Sequence, residues 1–106
     1  MMNPGTTYKC GEIVLANIQF VDRGEIKKRP ALVLFEEYTN IVVAGITSNP
    51  AMKGITLGKE EGLHLPSIIK LNYIFTISPA MIEKRLGLVS LQKKKQVQEY
   101  FLQKLQ

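Results

Sequence analysis

Residues 11–20, with the sequence Gly-Glu-Ile-Val-Leu-Ala-Asn-Ile-Gln-Phe, contain the first clear periodic pattern in the chain. Apolar side chains occupy every second position on one face, at Val14, Ala16, Ile18 and Phe20. A period of two that includes β-branched residues is typical of a strand in a pleated sheet. The stretch therefore predicts a β-strand near the start of the chain.

Short apolar runs bounded by turn residues continue this pattern. Gly45 lies inside one run and is a candidate for a bulge or a close backbone approach. Polar residues over 22–29 and 58–66 predict loops. The further predicted strands are residues 30–35, 41–46, 55–57 and 67–77, and residues 81–89 predict a strand or a helical turn followed by a strand.

The last segment changes from strand to helix spacing. Ser90 is a good N-cap for a helix over residues 91–105, in which apolar residues recur near the helical period. The chain therefore predicts a mainly β fold with a C-terminal helix, built as a small barrel or a sandwich. We expect one domain over residues 1–106, with an N-terminal arm over 1–9, a barrel over 10–89 and the helix segment over 90–106.

Composition excludes several classes of protein. The chain has 106 residues, of which 45% are hydrophobic, so it can bury a core and disorder is not expected. One Cys and one His cannot form a disulfide or a four-ligand Cys/His zinc site. The N-terminus has no signal-peptide pattern, and no apolar run approaches the ~20 residues needed to cross a bilayer. We therefore expect a soluble, cytoplasmic protein that needs no metal and no cofactor.

Charge indicates the class of partner. The chain carries 14 Lys and Arg against 9 Asp and Glu, a formal net charge of +5. A surplus of this size favours an anionic partner, which is either a nucleic acid or an acidic protein segment.

Two motifs that could suggest phosphate or metal binding are not interpreted as functional sites. Residues 54–60 resemble a phosphate-binding loop, but the spacing is one residue short and Glu60 replaces the required hydroxyl. The acidic pairs at residues 36–37 and 60–61 are interpreted as solvated turns, because adjacent strand residues point to opposite faces and chelate poorly.

A cationic segment precedes the second predicted strand. Lys27, Lys28 and Arg29 come before Pro30, which holds Arg29 in an extended backbone. An arginine in this position could grip phosphate oxygens through two parallel hydrogen bonds. Thr47 and Ser48 follow the third predicted strand, and their hydroxyls could lie at the same end of the sheet as Arg29. The alternative interpretation is a charged hairpin and a polar strand end without function.

Several short segments occur in a particular order along the chain. They are Gly11-Glu12-Ile13-Val14, Phe20, Arg29-Pro30-Ala31-Leu32-Val33, Ala44-Gly45-Ile46-Thr47-Ser48, residues 62–77 and Glu83-Lys84-Arg85-Leu86-Gly87 before a closing helix. Taken together, this order resembles the MazF/PemK toxin family over about residues 10–105. The resemblance depends on the ordered set and not on any single motif.

The resemblance implies an SH3-like small barrel of the PemK/CcdB type that forms a homodimer. It implies a ribosome-independent, metal-independent endoribonuclease that cleaves single-stranded messenger RNA at short sequences by attack of the 2′-hydroxyl. It further implies a cognate antitoxin whose acidic C-terminal tail blocks the RNA groove, and a toxin–antitoxin complex that binds DNA.

The same resemblance implies roles for individual residues. Arg29 and Thr47 match the catalytic pair of the family. Ser48 and Glu25 complete the predicted catalytic set, and the proton carriers are left open among Glu25, Asp22 and His64. The predicted RNA-binding residues are Phe20, Asp22, Lys27, Lys28, Asn49, Lys70, Asn72 and Tyr73.

The sequence departs from the family at the end of the later strand. Family members usually carry an acid or amide pair followed by Ile-Arg-Thr, whereas here Asn72 replaces the acid and Phe75 replaces the arginine. Two alternatives therefore stay open. One is a barrel that binds RNA or antitoxin but cleaves weakly, and the other is a CcdB-like gyrase poison.

Overall fold

The structure is a computed structural model that describes residues 7–19, 26–49, 51 and 53–106. Six strands and one helix are found within these residues. They are β1 (Glu12–Gln19), β2 (Ile26–Glu37), β3 (Asn40–Thr47), β4 (Ile55–Leu57), β5 (Ser67–Ile77), β6 (Ile82–Leu88) and α1 (Leu91–Lys104), with 3₁₀ turns at Lys59–Glu61 and Pro79–Met81.

The strands form one antiparallel sheet in the order β4-β5-β3-β2-β1-β6. The sheet is curled, and the predicted fold class, mainly β with a C-terminal helix, is confirmed. The 81–89 segment resolves into the second 3₁₀ turn followed by β6.

Both faces of the central strands are buried. One cluster contains Ile13, Leu32 and Ala44, and the other contains Val14 and Val33 from the opposite face. Successive side chains of a strand point to opposite faces, so a strand buried on both sides needs a continuous apolar run. This requirement explains why the central strands lack the strict alternation of a half-exposed sheet.

The second strand is longer than predicted. It starts at Ile26, so the cationic residues Lys27, Lys28 and Arg29 lie within β2 and not in a loop, and Arg29 pairs with Ala16 of β1. The prediction of a loop over 22–29 was wrong for its second half. These side chains are exposed or half-buried at the end of the sheet, where polar residues are compatible with strand pairing.

Helix α1 packs on the first cluster. The Ser90 hydroxyl accepts a hydrogen bond from the Lys93 amide at 3.2 Å, which confirms the predicted N-cap. Val97 is the buried residue of the helix, whereas Leu102 and Leu105 remain exposed. No helix in the described part of the chain has the length and apolar character to span a membrane.

The first 3₁₀ turn packs against β6. Gly62 has φ of 89°, and a Cβ built on it would lie 2.0 Å from the Leu86 carbonyl oxygen. A Cβ on Gly87 would lie 2.1 Å from the Glu61 carbonyl oxygen. Only two glycines allow the two backbones to approach this closely.

Glu61 in this turn is buried, so the interpretation of residues 60–61 as a solvated turn was wrong for this residue. Its carboxylate accepts hydrogen bonds from the Gly58 amide at 2.7 Å and from the Lys93 ammonium of α1 at 3.1 Å. Burial alone would raise the pKa of Glu61, but these two hydrogen bonds and the charge of Lys93 outweigh it and hold the pKa below the ordinary value. The carboxylate therefore stays ionised and ties the turn to the helix.

Candidate functional site

A cavity of about 540 Å³ opens at one end of the sheet, where β1 and β3 end and β2 begins. Most of its wall comes from strands β1, β2, β3, β5 and β6, and the rest comes mainly from residues 62–65. Its polar and charged lining side chains are Arg29, Thr47, Ser48, His64, Ser67, Lys70, Tyr73 and Lys84. The structure thus brings five of the predicted site residues into one cavity: Arg29, Thr47, Ser48, Lys70 and Tyr73.

The register of β2 and β3 places two of these residues side by side. Ala31 of β2 is paired with Gly45 of β3. Continuing this antiparallel register by two residues puts Arg29 opposite Thr47, with both side chains on the same face. Directly opposite residues have Cβ atoms about 4.5–5.5 Å apart. We call this part of the cavity, the ends of β2 and β3, the strand wall.

An irregularity in β5 adds Lys70 and Tyr73. Ala44 pairs with Ile74 while the next residue, Gly45, pairs with Lys70, so three residues of β5 have no partner on β3. This confirms the bulge predicted near Gly45, and the extra residues lie on β5. A Cβ built on Gly45 would lie 3.5 Å from the Tyr73 Cβ, so Tyr73 packs directly beside β3 at this position.

Tyr73 presents a ring to the solvent. The ring is 47% exposed, and the Lys70 ammonium lies 5.3 Å from its centroid. An exposed aromatic ring next to a cation can stack a nucleobase while the cation contacts the neighbouring phosphate.

The charges around the cavity have one sign. Arg29, Lys70 and Lys84 line it, and none of its lining residues in the described part of the chain is an Asp or Glu. Cations that converge on one concave surface attract and hold an anion. The cavity therefore fits a phosphate-bearing ligand.

Residues 62–65 form the other side of the cavity, which we call the loop wall. Leu63 is buried, whereas His64 and Leu65 are exposed. The Ser67 hydroxyl donates to the Leu65 carbonyl at 2.8 Å, and the Leu63 amide donates to the Gly58 carbonyl at 3.2 Å. The loop is thus held on both sides of His64.

Other predicted residues lie outside the cavity. The Lys28 ammonium is paired with the Glu83 carboxylate at 3.0 Å, and Lys27 lies beside it in β2. The Asn49 amide donates to the Thr47 hydroxyl at 3.2 Å, next to the cavity. Asn72 lines a separate cavity of about 210 Å³ below α1. Phe20, Asp22 and Glu25 lie outside the described residues.

Sequence reasoning did not include Lys84 or Ser67 in the site. Lys84 follows Glu83 and precedes Arg85, and such a charge run gives no indication of which side chain faces a cavity. The pairing of Lys84 with Leu15, itself a lining residue, supplies that information. In the described part of the chain, no three or more Asp, Glu, His or Cys residues are grouped in a way that could hold a metal ion.

Comparisons with known proteins agree with this geometry. The model of a family described as "PemK-like, MazF-like toxin of type II toxin-antitoxin system" matches residues 9–105. The solved structure of the Mycobacterium tuberculosis toxin MazF-mt6 is similar with a TM-score of 0.68 and 25% identity, over 83% of this chain and 89% of that chain. A crystal structure of an Mtb toxin is similar with a TM-score of 0.56 and 25% identity, over 65% of this chain and 82% of that chain. No curated protein gives a significant match.

Proposed function

Because the chain belongs to the PemK-like, MazF-like toxins of type II toxin–antitoxin systems, we propose that it is an endoribonuclease that cleaves single-stranded RNA at a short sequence. The observation that supports the proposal is that Arg29 and Thr47 line one cavity together with further cations, on strands whose register, continued by two residues, puts the two residues opposite each other. In this proposal RNA is the substrate, and the toxin acts in the cytoplasm.

In the proposed reaction, RNA itself supplies the nucleophile. The 2′-hydroxyl attacks the adjacent phosphorus in line, a 2′,3′-cyclic phosphate forms, and the 5′-oxygen leaves. Arg29 stabilises the charge that develops on the phosphoryl oxygens, because a guanidinium is always charged and binds two oxygens at once. The hydroxyls of Thr47 and Ser48 hold a non-bridging oxygen. The reaction needs no metal ion, and Glu25 is the proposed base from the sequence.

Substrate recognition is assigned to the rim of the cavity. Tyr73 stacks a base and Lys70 contacts the phosphate next to it, which is how proteins bind single-stranded RNA. Lys27, Lys28 and Asn49 extend this surface beyond the cavity, and Phe20 and Asp22 are proposed contacts from the sequence. Asn72 lies on the far side of β5 and is the weakest member of the predicted set.

Inhibition by an acidic antitoxin is consistent with the positive charge of the cavity. The family implies an antitoxin partner. An acidic antitoxin tail would occupy the cationic cavity and exclude RNA, and binding would weaken as salt rises. A homodimer, in which two cavities share one RNA groove, is part of the proposal.

The test is cleavage of a defined single-stranded RNA library by the purified protein in the presence of EDTA. We expect cuts at one short sequence, with a 2′,3′-cyclic phosphate or 3′-phosphate on one product and a 5′-hydroxyl on the other. A single deoxynucleotide at the 5′ side of the scissile bond should block the cut, because it removes the nucleophile. Cleavage of all-DNA strands, or activity that magnesium restores, would contradict the mechanism.

A further inference from the structure

His64 is the single histidine of the chain, and it lies on the wall of the same cavity as Arg29 and Thr47. It is exposed, so its imidazole is accessible to a ligand in the cavity.

The backbone around His64 is fixed on both sides. Leu63 before it is 6% exposed and packs in the core, and its amide donates to Gly58. Leu65 after it accepts a hydrogen bond from Ser67, which is itself 7% exposed. The backbone at His64 is therefore held beside the cavity, so little backbone entropy is lost when the imidazole engages a ligand.

His64 and Arg29 belong to different walls. Arg29 lies on β2, which is the central strand in the order β5-β3-β2-β1-β6. The loop that carries His64 contacts β6 at Gly87 and rejoins the sheet at the start of β5, so it connects the two outer strands of that set. In-line cleavage places the entering and leaving oxygens on opposite sides of phosphorus, and it therefore needs groups from more than one direction.

The other titratable residues that line the cavity in the described part of the chain are of types that donate protons poorly near neutral pH. They are Arg29, Lys70, Tyr73 and Lys84. Arginine does not give up its proton in proteins, and lysine and tyrosine do so only well above neutrality in ordinary surroundings. An imidazole exchanges a proton between about pH 5 and 8.

We propose that His64 is the general acid of the cleavage reaction, an inference that rests on the proposed endoribonuclease function. As the bond between the 2′-oxygen and phosphorus forms, the bond between phosphorus and the 5′-oxygen breaks. The 2′-hydroxyl proton passes to the general base of the proposed reaction, and the imidazolium of His64 gives its ring N–H proton to the departing 5′-oxygen.

The experiment compares two RNA substrates that carry the cleavage sequence mapped with the wild-type protein. One has the natural 5′-oxygen at the scissile bond and the other has sulfur in its place. A thiolate leaves without protonation, so it needs no general acid. General acid–base catalysis contributes typically about 10²–10⁴-fold, so His64→Gln should lose about 10²-fold or more in kcat on the oxygen substrate and less than about tenfold on the sulfur substrate.

Ser67→Ala is the matched control. It removes the hydrogen bond that holds the Leu65 carbonyl and loosens the same loop without touching the imidazole. If His64 served only to shape the loop, its replacement would lower kcat equally on the two substrates. Ser67→Ala keeps the imidazole, so we expect its loss on the oxygen substrate to be smaller than that of His64→Gln. A thermal melt must show each variant folded before its kinetics are compared.

The outcomes separate the two proposals. Equal losses on both substrates for His64→Gln, or no loss on the oxygen substrate, overturn the assignment of His64 while wild-type cleavage leaves the endoribonuclease proposal standing. A wild-type protein that cleaves neither substrate overturns the proposed function and this inference with it. A loss confined to the oxygen substrate establishes His64 as the general acid.

Discussion

The strand wall and the loop wall of the cavity are held in different ways. Arg29 and Thr47 lie on strands joined by a hydrogen-bonded ladder that runs to the Ala31–Gly45 pair, two residues before them, so the backbone of the sheet positions both residues. Residues 62–65 are held by a few separate contacts instead. These are the close approach of Gly62 and Gly87 and the hydrogen bonds of Glu61 and Ser67.

This difference determines what substitutions do. On the strand wall, a side chain can be removed without moving its neighbours, so the effect falls on binding or chemistry. On the loop wall, a change outside the cavity moves the residues that line it. Substitutions at the two walls should therefore separate loss of chemistry from loss of structure.

Arg29→Ala has the largest expected effect and tests the strand wall. Removing one preorganised group that stabilises the transition state typically costs about 10²–10³ in rate. We expect that loss in kcat, while affinity for an RNA with a 2′-deoxy scissile position falls by less than about tenfold, since one charge near an anion in high dielectric contributes about 1 kcal/mol. Single-turnover cleavage and fluorescence anisotropy measure the two quantities.

The midpoint of thermal unfolding is the control for Arg29→Ala, because this side chain is exposed at the end of β2. A folded variant that cleaves at the wild-type rate would remove Arg29 from the mechanism, whereas a wild-type protein that does not cleave RNA would favour a gyrase poison or a binding barrel. A variant that unfolds at a much lower temperature would show that the strand wall depends on side chains after all.

Gly87→Ala tests the loop wall from outside the cavity. The new Cβ would lie 2.1 Å from the Glu61 carbonyl oxygen and 2.6 Å from its carbon, so backbone must move. Forcing atoms into a well-packed site typically costs about 1–3 kcal/mol. We expect the free energy of unfolding to fall by that amount in urea melts, and kcat to fall because His64 is displaced.

Gly58→Ala is the matched control for Gly87→Ala. A Cβ on Gly58 meets no atom within 4 Å, so this variant should unfold and cleave like the wild type. If both glycine variants behave alike, the close approach of the turn to β6 does not hold the loop wall.

The two walls also differ in how far the sequence predicts them. The strand wall follows from local patterns: alternating apolar residues predict β1, a short apolar run predicts β3, and the adjacent pair Arg29-Pro30 shows that Arg29 has an extended backbone. The start of β2 was missed because Lys27, Lys28 and Arg29 are three consecutive charged residues, which are common in loops. A strand end at a solvent-facing cavity and a charged loop have the same composition.

The loop wall could not be predicted from local patterns. The partner that makes the burial of Glu61 possible is Lys93, which is 32 positions away in the chain. The glycine at 87 acts through a backbone contact with residue 61, and no sequence period relates the two. Charged residues in a polar stretch are usually exposed, and that rule gave the wrong answer here.

Glu61→Gln has a smaller expected effect and tests the electrostatic part of the loop wall. The amide keeps an oxygen for the Gly58 N–H but loses the charge that Lys93 contacts. A hydrogen bond to a charged group contributes about 1.5–3 kcal/mol, and partial exposure of Lys93 lowers this, so we expect a loss of about 1–2 kcal/mol at pH 7 in urea melts. Glu60→Gln, at the exposed neighbouring position, should change stability little.

The pH dependence of this loss of stability follows from the direction in which the pKa of Glu61 is shifted. The pKa of Glu61 is lower in the folded protein than its ordinary value of 4.5, so the carboxylate stabilises the fold above that pH. The contribution disappears as pH falls through the folded-state pKa. The stability difference between wild type and Glu61→Gln should therefore be constant near neutrality and shrink below about pH 4.5. A difference that grows on acidification would contradict the ionised pair.

The smallest effect is expected at the ion pair between Lys28 of β2 and Glu83 of β6. The two side chains are 59% and 41% exposed, and surface pairs of this kind contribute at most about 1 kcal/mol. If Lys28 contacts an RNA phosphate, Glu83 competes for its charge. Lys28→Ala should then weaken RNA binding a few-fold and reduce the salt slope by about 0.7, the value for one contact on a single strand. Glu83→Gln should strengthen binding by a similar small factor.

The double variant decides whether Glu83 acts through Lys28 or through the general charge of the surface. If it acts through Lys28, Glu83→Gln has no effect once Lys28 is alanine, and the double variant binds like Lys28→Ala alone. If Glu83→Gln strengthens binding equally in both backgrounds, the pair is not coupled to RNA, because removing any negative charge from a cationic surface would do the same. Anisotropy titrations at several salt concentrations measure all four proteins, and the maximal cleavage rate should be the same in each, since neither side chain lines the cavity.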